Sequence, residues 1–201
     1  MQVINRFSTL VVLNVLFLCT SIPVFTIGAS LAALYDVVFR LDTDGEGKIA
    51  ATYFRAFRAN FRQAAPIGLL FLLLTGSSCG NAVLFSSKGT AMGTILSVFS
   101  IVILVNTLLI SGYTFPLISQ FDNTFRNTLK NSLLLAIANL PRTLLMAIVN
   151  CFPWMLMLMD FYSFIQLSFL WLVLYFAAAA YFNSRVLMKV FEPLREESSS
   201  I

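Results

Sequence analysis

The 201-residue chain has no histidine, few charged residues and only three cysteines. Without histidine it lacks the commonest general base of enzymes and the imidazole ligand of most zinc and haem sites. Cys19, Cys79 and Cys151 lie inside apolar runs without C-x-x-C spacing, so neither a disulfide framework nor a zinc site is indicated. We expect a chain that is not an enzyme, with no catalytic, metal-binding or cofactor-binding residues and no cofactor.

Charged residues make up 11% of the chain and apolar residues 59%, and the mean hydropathy is +0.87. Soluble domains contain about 25% charged residues, whereas about 20 apolar helical residues cross a bilayer. The sequence therefore predicts an all-α, polytopic transmembrane helix bundle of about five spans, with residues 1–201 as a single membrane domain. The predicted spans are 10–34, 66–85, 91–113, 141–159 and 161–182, with cytoplasmic connections at 35–65 and 114–140 and a cytoplasmic tail at 183–201.

The first apolar stretch has features of a signal peptide, because Arg6 precedes it and small residues follow. It continues from Leu10 to Leu34, however, and a signal-peptide core has only about 7 to 15 residues. We expect a retained first helix that is bent or broken at Pro23.

The distribution of lysine and arginine predicts the orientation. Eleven of these thirteen residues lie within 35–65, 114–142 and 183–201, and only Arg6 and Lys88 lie elsewhere. Basic residues are retained on the cytoplasmic side of a membrane. With five spans, this bias predicts an outside N-terminus and a cytoplasmic C-terminus.

Both cytoplasmic connections are predicted to form amphipathic helices at the membrane surface, because aromatic residues recur at helical spacing beside basic ones. The predicted membrane-surface or partner-docking residues are Phe54, Arg55, Phe57, Arg58, Phe61 and Arg62 in the first connection, and Phe121, Phe125, Arg126 and Lys130 in the second. Residues 57–64 also match 125–132 in chemical type. Whether these helices bind lipid or protein stays open, and charged linkers exposed to solvent are the alternative.

Two motifs have simpler interpretations than the chemistry they suggest. Residues 76–80 match the G-x-S-x-G pattern of serine hydrolases, but they lie in an apolar helix with no histidine, which favours small residues for close helix packing. Residues 42–47 resemble the start of a calcium loop, but Tyr53 stands where a bidentate glutamate is needed, which favours a polar turn.

Four polar residues near or within the predicted spans are candidate intramembrane polar groups. Asn14, Asn106 and Asn150 can form interhelical hydrogen bonds or line a pathway. Arg142 follows Pro141 at the start of the fourth span, where its guanidinium can reach the interface or act as a buried functional charge.

Several segments together resemble the YesL-like family of bacterial integral membrane proteins, whose domain has no known function. The resemblance is carried by residues 21–30, by Phe54 to Phe61, by Tyr113 with Pro116, by residues 121–124, and by Leu133 through Pro141. It implies a bacterial plasma-membrane protein, often encoded beside carbohydrate-uptake ABC transporters and glycan-degrading enzymes. No catalytic residues are implied.

The leading hypothesis is a non-enzymatic accessory or permease-like component associated with carbohydrate ABC uptake. Its partners would be membrane lipids and ABC transporter subunits or a sugar-binding protein, without nucleic acid, and its oligomeric state stays open. The alternatives are a stand-alone small-molecule transporter and a lipid-sensing membrane-structural protein.

Overall fold

The computed structural model describes residues 2–41, 48–87 and 89–199. These residues are almost entirely helical and contain no strand, which confirms the predicted all-α class. The α-helices are α1 (Gln2–Ser21), α2 (Ile27–Arg40), α3 (Ile49–Ser86), α4 (Ala91–Gln120), α5 (Phe125–Ala138), α6 (Leu140–Met159), α7 (Phe161–Gln166), α8 (Ser168–Leu170) and α9 (Phe176–Ser199), with a 3-10 turn at Val24–Thr26 and a π-helical turn at Trp171–Tyr175.

Four helical segments among the described residues are long and apolar enough to cross a membrane. They are Ile49–Ser86, Ala91–Gln120, Leu140–Met159 and Ser168–Leu194. Apolar side chains on these segments are extensively exposed, as expected for surfaces that face lipid rather than water. Both features fit a membrane protein.

The predicted first span is two helices that run in opposite directions. In α1, Arg6 contacts Tyr181 while Asn14 contacts Ala177, so α1 runs antiparallel to α9. In α2, Tyr35 contacts Asn183 and Phe39 stacks on Phe191, so α2 runs parallel to α9. The predicted break at Pro23 is present, but the chain turns back there, so residues 10–34 do not form one continuous span.

Two prolines that were expected at helix ends lie inside helices. Pro66 was predicted to begin a span but lies within α3, which joins the first predicted amphipathic connection to the second span. Pro116 lies just beyond the predicted third span, 91–113, but falls within α4. A proline removes only one backbone hydrogen bond, and here both neighbouring stretches are buried against other helices. Tertiary packing therefore outweighs the local helix-breaking tendency.

The later boundaries differ less. Helix α6 lies within one residue of the predicted fourth span, with Pro141 in its first turn, where a missing N–H costs little. The predicted fifth span is interrupted at Leu167, and the π-helical turn lies within the continuous helical segment that follows. Residues predicted as a tail from 183 onward continue α9 to Ser199. Asp42–Gly47, the candidate calcium loop, lies outside the described residues.

Helix packing is closest where α2 crosses α3. Gly28 and Gly68 face each other there, and a Cβ added to Gly68 would lie 2.6 Å from the Gly28 Cα. By contrast, a Cβ added to Gly76 or Gly80 would have no neighbour within 4 Å. Of the segment 76–80, Gly76 and Gly80 therefore do not pack closely, whereas Ser78 is buried, and the close approach of two backbones occurs at Gly68 instead.

Candidate functional site at the basic end of the bundle

The three basic segments of the sequence meet at one end of the molecule. Phe191 of α9 packs against Phe121 after α4 and against Phe39 of α2, with ring centroids 5.5 and 6.0 Å apart. The Gln63 amide of α3 donates to the Asn123 carbonyl at 2.8 Å and to the Thr128 hydroxyl at 2.9 Å. We name this region the basic end. It consists of the end of α2, the first half of α3, residues 119–131 and the last half of α9.

The described start of the chain lies toward the same end. The Arg6 guanidinium donates to the Tyr181 hydroxyl at 3.2 Å, and the Arg185 guanidinium lies 4.9 Å from the centre of the same ring. The sequence argument placed Arg6 and Arg185 on opposite sides of the membrane. In the structure the two side chains share the Tyr181 ring and the chain turns back at Pro23, while the orientation of the chain in a membrane stays a prediction.

A polar cleft of about 390 Å³ opens at the basic end between α2, α3 and the end of α4. Its wall contains Asp36, Arg40, Arg55, Asn60 and Asp122. Asp36 is 5% exposed, and its carboxylate lies 3.1 Å from the Arg40 guanidinium. Burying a carboxylate is costly unless it is paired, so Arg40 stabilises its charged form. The cleft thus presents both signs of charge to a ligand or partner.

The first half of α3 presents most of the predicted docking residues outward beside this cleft. Phe54 and Phe61 are exposed, as are Arg55, Arg58 and Arg62, and we name these five residues the α3 stripe. Phe57, predicted to share their role, is half-buried against the core, and its ring packs at a tilt against Phe61 with ring centroids 5.5 Å apart. The helical repeat explains this difference, because the opposite face of α3 packs on α2 through buried Tyr53 and Ala56.

The second predicted docking segment is divided in the same way. Phe125, Arg126 and Lys130 are exposed on α5. Phe121, in contrast, lies in the link before α5 and packs inward on Phe191. The Thr124 hydroxyl caps α5 by accepting from the Asn127 N–H at 3.4 Å, so the helix begins after Phe121.

Asn14 is fully buried and bonded on both sides of its amide. Its Nδ2 donates to the Leu172 carbonyl at 2.7 Å, and its Oδ1 accepts from the Ala177 N–H at 3.0 Å. Leu172 lies within the π-helical turn and Ala177 follows it, where the regular helical bonding changes. Asn14 therefore stabilises an irregular backbone from a neighbouring helix.

The other candidate polar residues lie in different surroundings. Asn150 accepts from the Asn183 amide at 2.8 Å, which joins α6 to α9. Asn106 is exposed and donates to the Val102 carbonyl of its own helix. Arg142 is exposed in the first turn of α6 and donates to the Asn139 side chain at 3.1 Å. The four candidates do not converge on one site.

Sequence reasoning missed Asp36, Tyr35 and Asn183. The i, i+4 spacing of Asp36 and Arg40 signals an ion pair on a helix, but it does not indicate burial. Asn183 follows an alanine-rich segment and was placed in the tail, whereas it is 1% exposed. Only the position of α9 against α2 and α6 reveals its role.

Comparison with known proteins gives a family likeness over part of the chain. The model of a family described as a protein of unknown function, DUF624, matches residues 10–78, about a third of the chain. Searches of curated proteins and of solved structures each found no match. The matched segment includes most of α1, all of α2 and α3 as far as Ser78, so it contains the Gly28–Gly68 crossing, the α3 stripe and half of the polar cleft.

Proposed function

We propose that this chain is a non-enzymatic accessory or permease-like component of a carbohydrate uptake system in the bacterial plasma membrane, and that its basic end docks a cytoplasmic partner. The docking part rests on one observation: the exposed α3 stripe adjoins a cleft of mixed charge. Aromatic residues and arginine are enriched at protein–protein interfaces. The carbohydrate part rests on the YesL-like resemblance alone.

A protein fits the basic end better than anionic lipid does. Asp36 and Asp122 lie in the cleft beside the α3 stripe, and carboxylates repel anionic headgroups. A partner surface with charges of both signs can pair with the arginines and the carboxylates together. An ATPase subunit of an ABC transporter is therefore the partner that we expect here.

Co-purification in mild detergent from cells grown on complex glycans tests this proposal. We expect mass spectrometry to recover an ATPase subunit or a sugar-binding protein with the tagged chain. Replacing Arg58 and Arg62 with glutamine should lower the recovery about five- to thirtyfold, since each interfacial charge contributes on the order of 0.5–1 kcal/mol. The matched control replaces Arg126 and Lys130 on α5 with glutamine and should lower it less. Recovery of the chain alone under all conditions would refute docking.

A lipid-sensing role is the second candidate, favoured by exposed Phe54 and Phe61 beside arginines, each worth about 1 kcal/mol near an anionic surface. Hydrogen exchange of the whole protein in nanodiscs distinguishes the two roles. Protection of residues 51–62 that rises with phosphatidylglycerol, and that is lost on Arg→Gln replacement in the α3 stripe, would favour lipid sensing. Solute flux into proteoliposomes that contain the chain alone would instead favour a stand-alone transporter.

For the topology, we propose that both ends of the chain lie in the cytoplasm. The proximity of Arg6 to Tyr181 and Arg185 supports this arrangement, as does the even number of span candidates among the described residues. Peptide tags at either terminus should resist protease in intact spheroplasts, whereas a tag inserted at Thr90, between α3 and α4, should be cleaved. Cleavage of the N-terminal tag would restore the outside N-terminus that the sequence predicted.

A further inference from the structure

A second, apolar cavity of about 300 Å³ lies among α2, α4, α6 and the π-helical turn. Its lining includes Tyr35, Gly112, Asn150, Trp171 and Tyr175, and the rest is mostly aromatic and aliphatic. The volume is at the lower end for small-molecule sites. Trp154, which also lines it, is 63% exposed, so the cavity reaches the outer surface of the bundle beside α6.

Uncharged polar groups converge on one part of this wall. Tyr35 is 6% exposed, and its hydroxyl oxygen accepts from the Asn183 amide at 3.2 Å. Among the described residues the Tyr35 hydroxyl hydrogen has no acceptor, and the Asn183 Oδ1 is buried without a partner. Asn183 is not among the lining residues, but Tyr35 is, and since nearly all buried polar atoms in proteins are bonded, a ligand oxygen that accepts from the Tyr35 hydroxyl would complete its bonding.

The lining restricts the chemistry of that ligand. It contains no charged side chain, so the cavity would penalise a phosphate, carboxylate or ammonium group. A sugar carries several hydroxyl groups, and this wall has too few polar groups to satisfy them when buried. One oxygen atom on a long apolar chain matches both the single polar region and the aromatic walls.

The backbone of the cavity wall points the same way. Trp171 and Tyr175 lie in the π-helical turn, and such turns occur frequently at functional sites. Asn14 stabilises the turn from α1, and the Trp171 indole donates to the Phe164 carbonyl at 3.2 Å. The Tyr175 hydroxyl donates to the Val149 carbonyl, so a hydrogen bond holds each of the two rings, which favours a preformed wall.

We propose that this cavity binds a neutral, long-chain lipid that carries a hydroxyl or carbonyl oxygen, with its chain along the aromatic wall and its oxygen at Tyr35 and Asn150. The Tyr35 hydroxyl and the Asn150 amide donate to that oxygen. Such a ligand comes from the membrane as a diacylglycerol or as a free prenol, and both present this same chemistry.

Tryptophan fluorescence measures binding directly, because the only two tryptophans of the chain, Trp154 and Trp171, line the cavity. In a Trp154→Phe background of the full chain in detergent, buried Trp171 reports alone. Titration with 11-bromoundecanol, whose bromine quenches indole fluorescence, should quench Trp171 saturably. Bromoundecane lacks the oxygen and should bind about three- to tenfold more weakly. Ionised 11-bromoundecanoic acid should bind at least tenfold more weakly than the alcohol.

Two substitutions locate the binding. Gly112→Leu fills the cavity without a backbone clash, since a Cβ there meets nothing within 4 Å, and should abolish saturable quenching. Gly76→Leu, equally free of neighbours but outside the cavity, is the matched control and should leave it intact. Tyr35→Phe keeps the ring and should make the alcohol bind no better than bromoundecane.

Competition of dioleoylglycerol and, separately, of a prenol with 11-bromoundecanol then identifies the source of the ligand. Linear, unsaturable quenching by all three probes would overturn the proposal. So would quenching that stays saturable in Gly112→Leu, or an alcohol that keeps its advantage over bromoundecane in Tyr35→Phe.

Discussion

Two stretches of the single helix α3 differ in how closely their glycines pack against other helices. Around residue 66 the helix is buried against α2, and Gly68 lets the two backbones touch. Beyond residue 72 the same helix is largely exposed, and Gly76 and Gly80 face open space. The same residue type is therefore a packing requirement in one half and interchangeable in the other, and position within the bundle decides which.

The largest expected effect comes from adding one methyl group at the buried crossing. In Gly68→Ala the new Cβ would meet the Gly28 backbone, which cannot rotate away, so α2 and α3 must separate. Overpacking of this kind costs about 1–3 kcal/mol. Thermal unfolding in a fixed detergent should show a clear loss of stability.

The matched control is Gly76→Ala, which meets no neighbour and should be neutral or up to about 1 kcal/mol more stable, because alanine favours helix over glycine. The double variant Gly28→Ala with Gly68→Ala should lose less than the sum of the single losses, since both disturb one contact. Equal stability of Gly68→Ala and Gly76→Ala would mean that the close crossing is wrong.

A second contrast uses one residue type in two places. Asn14→Leu leaves the Leu172 carbonyl and the Ala177 N–H without their side-chain partner, and each unsatisfied buried group costs about 1–3 kcal/mol. Asn106→Leu removes only a bond to its own helix at an exposed position, so we expect a change within about 0.5 kcal/mol. Hydrogen exchange should also speed up at Ala177 in Asn14→Leu alone. No change there would mean that Asn14 does not stabilise the π-helical turn.

Much of the fold could be predicted from composition and hydropathy, but not the parts that depend on packing. The apolar runs gave the helical class and placed α6 to within a residue, because Pro141 and Asp160 terminate it locally. The sequence could not reveal that residues 10–34 turn back on themselves, since a kinked span and a hairpin have the same hydropathy. Pro66 shows the same problem, because the burial of its neighbours Ala65 and Ile67 outweighs its own local preference.

The basic end illustrates what periodicity can and cannot reveal. Spacing predicted an aromatic and basic face on α3, and exposed Phe54, Phe61 and the three arginines are arranged as that spacing implies. It could not show that Phe57 and Phe121 pack inward, because either side of an amphipathic helix can face a neighbouring helix. The surroundings of Asp36 depend on a contact across an undescribed loop, and those of Asn183 on a contact with a segment more than a hundred residues away. No local pattern encodes such contacts.

The smallest effect is expected at the exposed turn between α6 and α7, where packing contributes little and a side-chain cap remains. Asp160 accepts from the Ser163 hydroxyl and from the Tyr162 N–H, and these bonds, the Ser163 bond most, lower the pKa of its carboxyl group below its ordinary value. A carboxyl whose pKa is lowered on folding stabilises the fold above its unfolded pKa and loses that contribution as the pH falls through the folded value.

In Asp160→Asn the cap remains, but the side chain no longer titrates. Because the group is fully exposed, the difference in unfolding temperature between the two proteins should be small at pH 7 and should shrink further as the pH falls toward 3. A difference that grows as the pH falls would contradict this prediction, because it would mean that the charged Asp160 carboxylate destabilises the fold relative to its protonated form.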